Sequence, residues 1–424
     1  MSLTNLERKA LEAVDVDALL ALLADLIAIR SLGGQETPAQ EYVADFLEGL
    51  DMDVDVWELD LDTVRKHPAF SMEIERPGAL GVVGTMGRNE TDGRTLVLNG
   101  HVDVVPADEE GWHYSPWQAT RVDGRVYGRG TCDMKGGLAC ALHAVQILRQ
   151  MDVQLEGRLL IESVVGEEDG GVGTLAAVLR GYGADRAIVL EPTESVIAPA
   201  QAGALSFRVR VPGRTAHGSM REEGVSAIEK FFPIHEALLQ LERSRNEAAS
   251  HALYARYELP YALCIGKVEG GDWASNVADW LVFQGRYGVA PDENLATARR
   301  RFEETVAEVA QDDPWLRDHP PEVEWWGAQW IPASTPTDHP LVEAVAAAFA
   351  EASGAPGRIE GMTYGADMGL LVTVGQMPTV LFGPGDVRNA HRPDEFVEIN
   401  ELVAVTRTLL LTILRFCGGT STTA

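Results

Sequence analysis

Cysteine is scarce in this sequence of 424 residues, with only Cys132, Cys140, Cys264 and Cys417. Four cysteines cannot form the disulfide framework of a small secreted protein, and so few of them fit a reducing compartment. No two of them form a C-x-x-C pair, which excludes a zinc site built from cysteines.

Positive charge is also in short supply. Lysine and arginine total 35 against 64 aspartates and glutamates, which gives a formal net charge of −29. This excess argues against nucleic acid as a partner, because affinity for nucleic acid comes from neutralising phosphates. It equally disfavours docking on an anionic membrane surface.

Long apolar runs are missing as well. The longest, residues 19–29, is interrupted by Asp25 and is far shorter than the roughly 20 residues that a membrane-spanning helix needs. The first residues, MSLTNLERKALEAVD, show neither the apolar core nor the cleavage pattern of a secretory signal. We therefore expect a cytoplasmic protein without a membrane partner.

The remaining composition is that of a globular protein, with 46% apolar and 23% charged residues. The length predicts two domains, because it exceeds what one hydrophobic core usually supports. Strand patterns alternate with helix patterns over residues 1–203 and again over 330–424, which indicates an α/β domain. Residues 204–329 show the order β-α-β-β-α-β, which predicts an inserted ferredoxin-like α+β domain.

The first polar cluster is GHVDVVP, residues 100–106, at the end of a predicted strand. His101 and Asp103 are two positions apart and therefore project from the same face of that strand. A metal-bound imidazole needs an acceptor for its second nitrogen, and a nearby carboxylate can provide one. The alternative is a buried histidine beside a turn aspartate, with no metal.

The second cluster, GRGTCDMKGG at residues 128–137, places Asp133 among glycines before a predicted helix. Glycines let the backbone fold tightly enough to bring a carboxylate to an ion. Asp133 could also cap the helix, or the glycines could cradle a phosphate. The phosphate interpretation is weak, because the P-loop and dinucleotide-binding patterns are absent.

Further candidates follow two apolar strands and occupy one late loop. VVGEEDGG contains Glu167 and Glu168, LEPTE contains Glu191, and NAHRPDE contains His391. Adjacent carboxylates at the end of a buried strand are costly unless they are compensated, and one could bind a metal while the other moves a proton. Each motif alone also fits a solvated or structural loop.

Taken together, the candidates favour a two-metal centre. The possible ligands are His101, Asp133, Glu168, Glu191 and His391. Five ligands cannot supply two separate four-coordinate zinc sites, so a bridging carboxylate and a bridging water are needed.

The ordered motifs GHVDVVP, GRGTCDMKGG, GEEDGG, EPTE, GRTAHGS and AHRPDE are similar to those of a co-catalytic di-zinc family. That family contains acetylornithine deacetylase, succinyl-diaminopimelate desuccinylase, aminoacylase and glutamate carboxypeptidase. The resemblance covers nearly the whole chain. It implies a mixed-sheet α/β catalytic domain with an inserted lid domain that dimerises, and hence a homodimer. It also implies two Zn²⁺ per chain, with Co²⁺ or Mn²⁺ as possible substitutes.

The resemblance implies a role for each candidate in the catalytic domain. His101 and Glu191 would hold one zinc ion, Glu168 and His391 would hold the other, and Asp133 would bridge them. In addition, Asp103 would orient His101, and Glu167 would be the general base. The peptide bond after the bridging aspartate is often cis in the family, here Asp133–Met134.

The inserted domain and a later loop supply looser matches. His217 in GRTAHGS resembles the family histidine that stabilises the oxyanion, although it could also cap a helix or face solvent. Asn276, Arg286 and Gly365 resemble substrate-binding positions. The usual proline near Asn276 is absent, Arg286 is closer to Asn276 than usual, and Met368 stands where many members have arginine. These departures leave the substrate open.

The sequence thus predicts a metal-dependent amidohydrolase that acts on a small molecule. It would remove an acyl group from an N-acyl amino acid or related amine through attack by a metal-bridging hydroxide. The alternative is a dipeptidase or carboxypeptidase with the same centre. A non-catalytic binding protein on this fold should have lost ligands, whereas this chain retains all five candidates and Glu167.

Overall fold

The computed structural model describes residues 3–87, 94–248 and 251–421. In chain order, the helices are α1 (Asn5–Glu12), α2 (Val16–Ala28), α3 (Thr37–Glu48), α4 (Leu61–Val64), α5 (Lys135–Gln150), α6 (Val172–Arg180), α7 (Ala227–Ala248), α8 (Leu295–Asp312), α9 (Pro314–Asp318), α10 (Pro340–Ser353), α11 (Met368–Thr373) and α12 (Ile399–Ile413).

The strands, also in chain order, are β1 (Asp53–Glu58), β2 (Leu80–Gly87), β3 (Thr95–His101), β4 (Thr120–Val122), β5 (Arg125–Tyr127), β6 (Val153–Leu155), β7 (Arg158–Val164), β8 (Arg186–Val189), β9 (Ala200–Gln201), β10 (Gly203–Pro212), β11 (Leu263–Gly270), β12 (Trp280–Val289), β13 (Glu322–Trp330), β14 (Ala333–Ser334), β15 (Thr379–Leu381), β16 (Phe396–Glu398) and β17 (Gly419–Ser421). Two compact units contain these elements. The first consists of Met1–Ala200, Ser334–Met362 and Ala366–Ala424, and the second of Gln201–Ala333 and Thr363–Gly365.

A six-stranded mixed sheet forms the centre of the first unit, in the order β1-β2-β7-β3-β8-β15. The four strands from β7 to β15 run parallel, whereas β1 and β2 are antiparallel to their neighbours. Strand β3, with the sequence TLVLNGH, is buried at every residue, as expected for a strand covered on both faces. The carboxyl ends of β7, β3 and β8 therefore meet at one edge, where open α/β sheets bind their ligands.

The second unit contains a four-stranded antiparallel sheet in the order β11-β12-β10-β13, with α7 and α8 packed against it. Its mostly aliphatic core contains packed aromatic rings: the ring centroids of Phe207 and Phe302 are 4.6 Å apart, and those of Phe207 and Phe283 are 6.0 Å apart. The strand and helix order confirms the predicted ferredoxin-like unit, and the mixed sheet confirms the predicted α/β fold class. Among the helices of the described ranges, none has the length and apolar character needed to cross a bilayer.

Candidate active site

Apart from Asp103, six of the candidate side chains belong to the first unit, and three of its parallel strands lead directly to four of them. His101 is the last residue of β3, Glu167 and Glu168 follow β7, and Glu191 follows β8. The two remaining side chains come from loops: Asp133 precedes α5, and His391 follows a short 3₁₀ turn, Val387–Asn389.

Asp133 lies between the two histidines. Its Oδ1 is 3.2 Å from Nε2 of His101, and its Oδ2 is 3.3 Å from Nε2 of His391. The Asp133–Met134 peptide bond is cis, as the resemblance implies. One carboxylate thus presents a separate oxygen to each imidazole, which is the arrangement that a shared ligand of two ions requires.

The three glutamates surround these histidines. Glu191 Oε1 is 3.7 Å and Glu167 Oε2 is 4.0 Å from Nε2 of His101, while Glu168 Oε2 is 3.0 Å from Nε2 of His391. Two sets of potential ligand atoms converge within 4.8 Å: His101 with Glu167 and Glu191, and His101 with Asp133 and Glu168. Glu167, which the sequence predicts to be a base rather than a ligand, therefore lies among the potential ligand atoms around His101.

The electrostatics of the cluster are those of buried acids next to two imidazoles, of which His101 is buried and His391 is 52% exposed. Burial and the charge of Glu191 raise the pKa of Glu167 well above its ordinary value, and burial and Asp133 do the same for Glu191. Burial lowers the pKa of His391, but the hydrogen bonds to Asp133 and Glu168 outweigh it and raise that pKa to about 11.

The pKa of His101 is raised in the same way as that of His391. Burial lowers its pKa, but Asp133 and the charge of Asp103 raise it well above the usual range. Burial also acts to raise the pKa of Asp133, yet its hydrogen bonds to both histidines hold that pKa far below normal. A bound cation would replace the imidazolium protons as the charge that compensates the carboxylates.

The main-chain carbonyl of Asp103, rather than its carboxylate, makes the hydrogen bond to the His101 ring. Nδ1 of His101 donates to the carbonyl oxygen of Asp103 at 2.9 Å, whereas the nearer carboxylate oxygen is 3.6 Å away. The carboxylate instead accepts the backbone N–H groups of Glu167 at 3.4 Å and Glu168 at 3.1 Å. Asp103 thus connects His101 to the loop of the paired glutamates, and its orienting role stays a prediction.

Glu395 is a buried residue of the site for which the sequence predicts no role. Its Oε1 accepts the backbone N–H groups of Cys132 at 2.9 Å and Asp133 at 3.1 Å, and its Oε2 accepts from Arg129 at 2.5 Å. Burial raises the pKa of Glu395 to about 7, although the charge of Arg129 opposes this. The available signal was its position in NAHRPDE, four residues after His391.

Lys135, the second residue after Asp133, is also fully buried. Its Nζ donates to the carbonyl oxygens of Leu26 at 2.8 Å and Ile29 at 2.9 Å, and burial lowers its pKa to about 7. These acceptors are at the carboxyl end of α2, where a helix favours positive charge. The lysine therefore fixes the start of α5 to the end of α2, directly behind the Asp133 loop.

The other predicted site residues belong to the second unit. His217 and Asn276 form an isolated antiparallel bridge, so the structure brings these two together. Arg286 lies in the middle of β12, opposite Ser206 of β10. At Gly365, a Cβ atom would be 2.2 Å from Cβ of Trp330, so only glycine fits. Their substrate-binding roles stay predictions.

Comparisons with known proteins identify the family. Residues 97–415 match the model of peptidase family M20/M25/M40. The chain is 33% identical to the N-formyl-4-amino-5-aminomethyl-2-methylpyrimidine deformylase of Halalkalibacterium halodurans, with 95% of each chain covered. It is 29% identical to the acetylornithine deacetylase of Proteus mirabilis, with 82% of this chain and 86% of the relative covered.

Among solved structures, a tripeptidase of Staphylococcus aureus has the same fold. The TM-score is 0.74 at 22% identity, with 95% of this chain and 99% of that chain covered. The predicted family resemblance and the predicted fold class are thereby confirmed. The chain belongs to peptidase family M20/M25/M40 and is an amide-bond hydrolase of that family.

Proposed function

We propose that this chain is a two-zinc N-deacylase that removes a small acyl group from an amine. The observation that carries the proposal is the position of Asp133, which presents one carboxylate oxygen to His101 and the other to His391. The surrounding donors fit an ion, since Glu191 Oε1 is buried and makes no hydrogen bond within the part of the chain that the structure describes. Imidazole nitrogens and carboxylate oxygens are ordinary zinc ligands.

In this proposal His101 and Glu191 would hold one ion, Glu168 and His391 would hold the other, and Asp133 would be shared. When bound, the zinc ions supply a Lewis acid for the substrate carbonyl and lower the pKa of water. Co²⁺ or Mn²⁺ could substitute for zinc in the same donor set.

Glu167 is the proposed general base. It is buried beside His101, and burial together with Glu191 raises the pKa of its carboxyl group. A carboxylate with a raised pKa accepts a proton more readily near neutral pH than an exposed one does. Glu167 takes a proton from the attacking water and returns it to the amine that leaves.

His217 is the proposed oxyanion donor. Its Nδ1 accepts the backbone N–H of Ser219 at 3.2 Å, which favours the tautomer with the proton on Nε2. The imidazole side chain is exposed, so Nε2–H is available to donate to a substrate oxygen. We place its action at the site of the partner protomer in a homodimer.

Two features of the second unit support that homodimer. Strand β11 is an edge strand of its sheet, and Val268 on it is 49% exposed, while Phe232 on α7 is 60% exposed. An exposed strand edge with apolar side chains is a template for pairing with another chain. The compartment that we propose is the cytoplasm. The buried thiols of Cys132, Cys140 and Cys417 are free, and free thiols fit a reducing environment.

The substrate class is proposed from the two relatives. The deformylase and the acetylornithine deacetylase are both named for removing a small acyl group from nitrogen. Because this chain is 33% and 29% identical to these two relatives, we favour a substrate that carries a formyl or acetyl group on nitrogen over a peptide substrate. An N-formyl aminomethylpyrimidine is therefore the first substrate to test, ahead of N-acyl amino acids and dipeptides.

A kinetic screen of the zinc-loaded enzyme tests this function. We expect kcat/KM for N-formyl-4-amino-5-aminomethyl-2-methylpyrimidine or an N-acetyl amino acid to exceed that for any dipeptide. The Glu167→Gln variant, prepared in the same way, controls for contaminating hydrolases. Dipeptides as the preferred substrates would favour the dipeptidase alternative, and no hydrolysis of any amide would refute both.

A further inference from the structure

We propose that a buried triad of Arg76, Glu36 and Asp169, hereafter the Arg76 triad, positions the loop that carries Glu167 and Glu168. Asp169 is the next residue of the GEEDGG motif, and no role for it follows from the motif itself. The inference rests on the proposed roles of the two glutamates, but its structural part can be tested without them.

Asp169 connects the glutamate loop to the segment that follows α4. Its Oδ2 accepts the backbone N–H groups of Glu73 at 2.9 Å and Ile74 at 2.6 Å. The same oxygen accepts from Nη1 of Arg76 at 2.9 Å, and Nη2 of Arg76 is 2.5 Å from Oδ1. The guanidinium and the carboxylate therefore meet in a two-pronged pairing, in which Nη1–Oδ2 is a hydrogen bond and Nη2–Oδ1 is an ion-pair contact only. Two such contacts fix orientation as well as distance.

Arg76 is held from its other side as well. Its Nε donates to Oε1 of Glu36 at 2.7 Å, and its Nη1 donates to the carbonyl oxygen of Ile74 at 2.8 Å. Arg76, Glu36 and Asp169 are 1%, 2% and 4% exposed. A buried ion pair of this kind contributes little net stability, because desolvation cancels much of its attraction. A role in positioning explains its presence better than a role in stability.

The loop at residues 166–171 needs such support because its glycines give the backbone little conformational preference of its own. Gly166, Gly170 and Gly171 have φ values of 71°, 132° and 79°, a region that other residues rarely adopt. At Gly170 a Cβ atom would lie 2.1 Å from Oγ of Ser71, so the segment that includes Arg76 packs directly against the loop.

The loop is thus held on two sides. On one side the carboxylate of Asp103 accepts the backbone N–H groups of Glu167 and Glu168. On the other side Asp169 joins the loop to the Arg76 triad. If the contacts between Asp169 and Arg76 are weakened, Glu167 and Glu168 remain in the site but lose their fixed position relative to His101.

The test uses Arg76→Lys and Asp169→Asn in the zinc-loaded full-length enzyme. Lysine keeps the buried positive charge but cannot form the two-pronged pair, and asparagine keeps an acceptor oxygen without the charge. The matched control is Arg415→Lys, because Arg415 also joins two carboxylates, Glu7 and Glu351, on helices that carry no proposed site residue.

We expect each triad variant to lower kcat by about 10- to 100-fold, as partners behind a metal site usually do, with KM changed by less than about twofold. Hydrogen exchange should accelerate at the amides of Glu167 and Glu168, and Arg415→Lys should change neither quantity. Because Arg76→Lys retains the buried charge, it decides the question even if Asp169→Asn does not fold.

Unchanged kcat and unchanged exchange of the two glutamate amides in a folded Arg76→Lys enzyme would overturn the proposal. A fall in kcat that Arg415→Lys reproduces would also overturn it, since that result indicates general destabilisation. The exchange measurement requires no substrate. Failure of the deacylase function is therefore distinguishable from failure of the positioning role.

Discussion

Glu162 gives a sharp prediction about the pH dependence of stability. It lies in β7 with no exposed surface, and Asn99 donates to its Oε2 at 3.3 Å. Burial raises the pKa of Glu162 to about 7 from 4.5; the Asn99 hydrogen bond opposes this shift, and the charge of Asp367 adds to it. The native state therefore binds a proton over a pH range in which the unfolded chain has already released it.

The sign and size follow from proton linkage. Because the folded pKa is the higher one, stability is greatest below about pH 4.5 and falls as the pH rises toward about 7. The folded and unfolded pKa values of Glu162 differ by about 2.5, and at about 1.4 kcal/mol for each factor of ten this amounts to about 3.4 kcal/mol at high pH. At about pH 5.5 the native state has already lost about 1.4 kcal/mol of stability through Glu162. About 2 kcal/mol more is therefore lost between about pH 5.5 and about pH 8.5.

Replacing Glu162 with glutamine keeps the shape and removes the titration. We expect Glu162→Gln to gain stability relative to the wild type by about 2 kcal/mol between about pH 5.5 and about pH 8.5 in urea unfolding. The control is Glu58→Gln, at an exposed position on β1 of the same sheet. A stability difference that does not change with pH, or one matched by Glu58→Gln, would refute the reasoning.

Three further predictions concern the site. Glu167→Gln should retain its metal and lose about 10²–10⁴-fold in kcat, whereas Glu168→Gln should bind metal more weakly; the reverse pattern in metal analysis would exchange the two roles. Metal affinity measured by chelator competition should fall from about pH 8 to about pH 6, because His101 and His391 must release protons to bind; an affinity independent of pH would contradict this. Mixing His217→Ala with Glu167→Gln under subunit exchange should restore roughly a quarter of wild-type activity if His217 acts across a dimer, and no recovery would contradict it.

Much of the site follows from the sequence because its residues stand at predictable places in the fold. His101, Glu168 and Glu191 each follow a short apolar run, and such runs become parallel strands whose carboxyl ends share an edge. The β-α-β-β-α-β order likewise predicts the inserted unit. In both cases the pattern is local, and the topology brings the pieces together.

The supporting contacts could not be predicted, because they join distant segments without a recurring spacing. Arg76 is 40 residues from Glu36 and 93 from Asp169, and no local pattern marks it as buried. Glu395 is 262 residues from Asp133, although it accepts the backbone N–H of that residue. A charged residue in sequence favours solvent, and only the fold shows that these are enclosed and paired.

The central claim is that Asp133 joins two ions in one centre, and metal binding to the wild type and to Asp133→Ala tests it most directly. Titration of the metal-depleted enzymes with zinc, followed by elemental analysis after dialysis, measures the stoichiometry and the affinity of each site. We expect two ions per wild-type chain and weakened binding at both sites in the variant. One ion per wild-type chain, or a variant that loses one ion while the other stays at wild-type affinity, would contradict it.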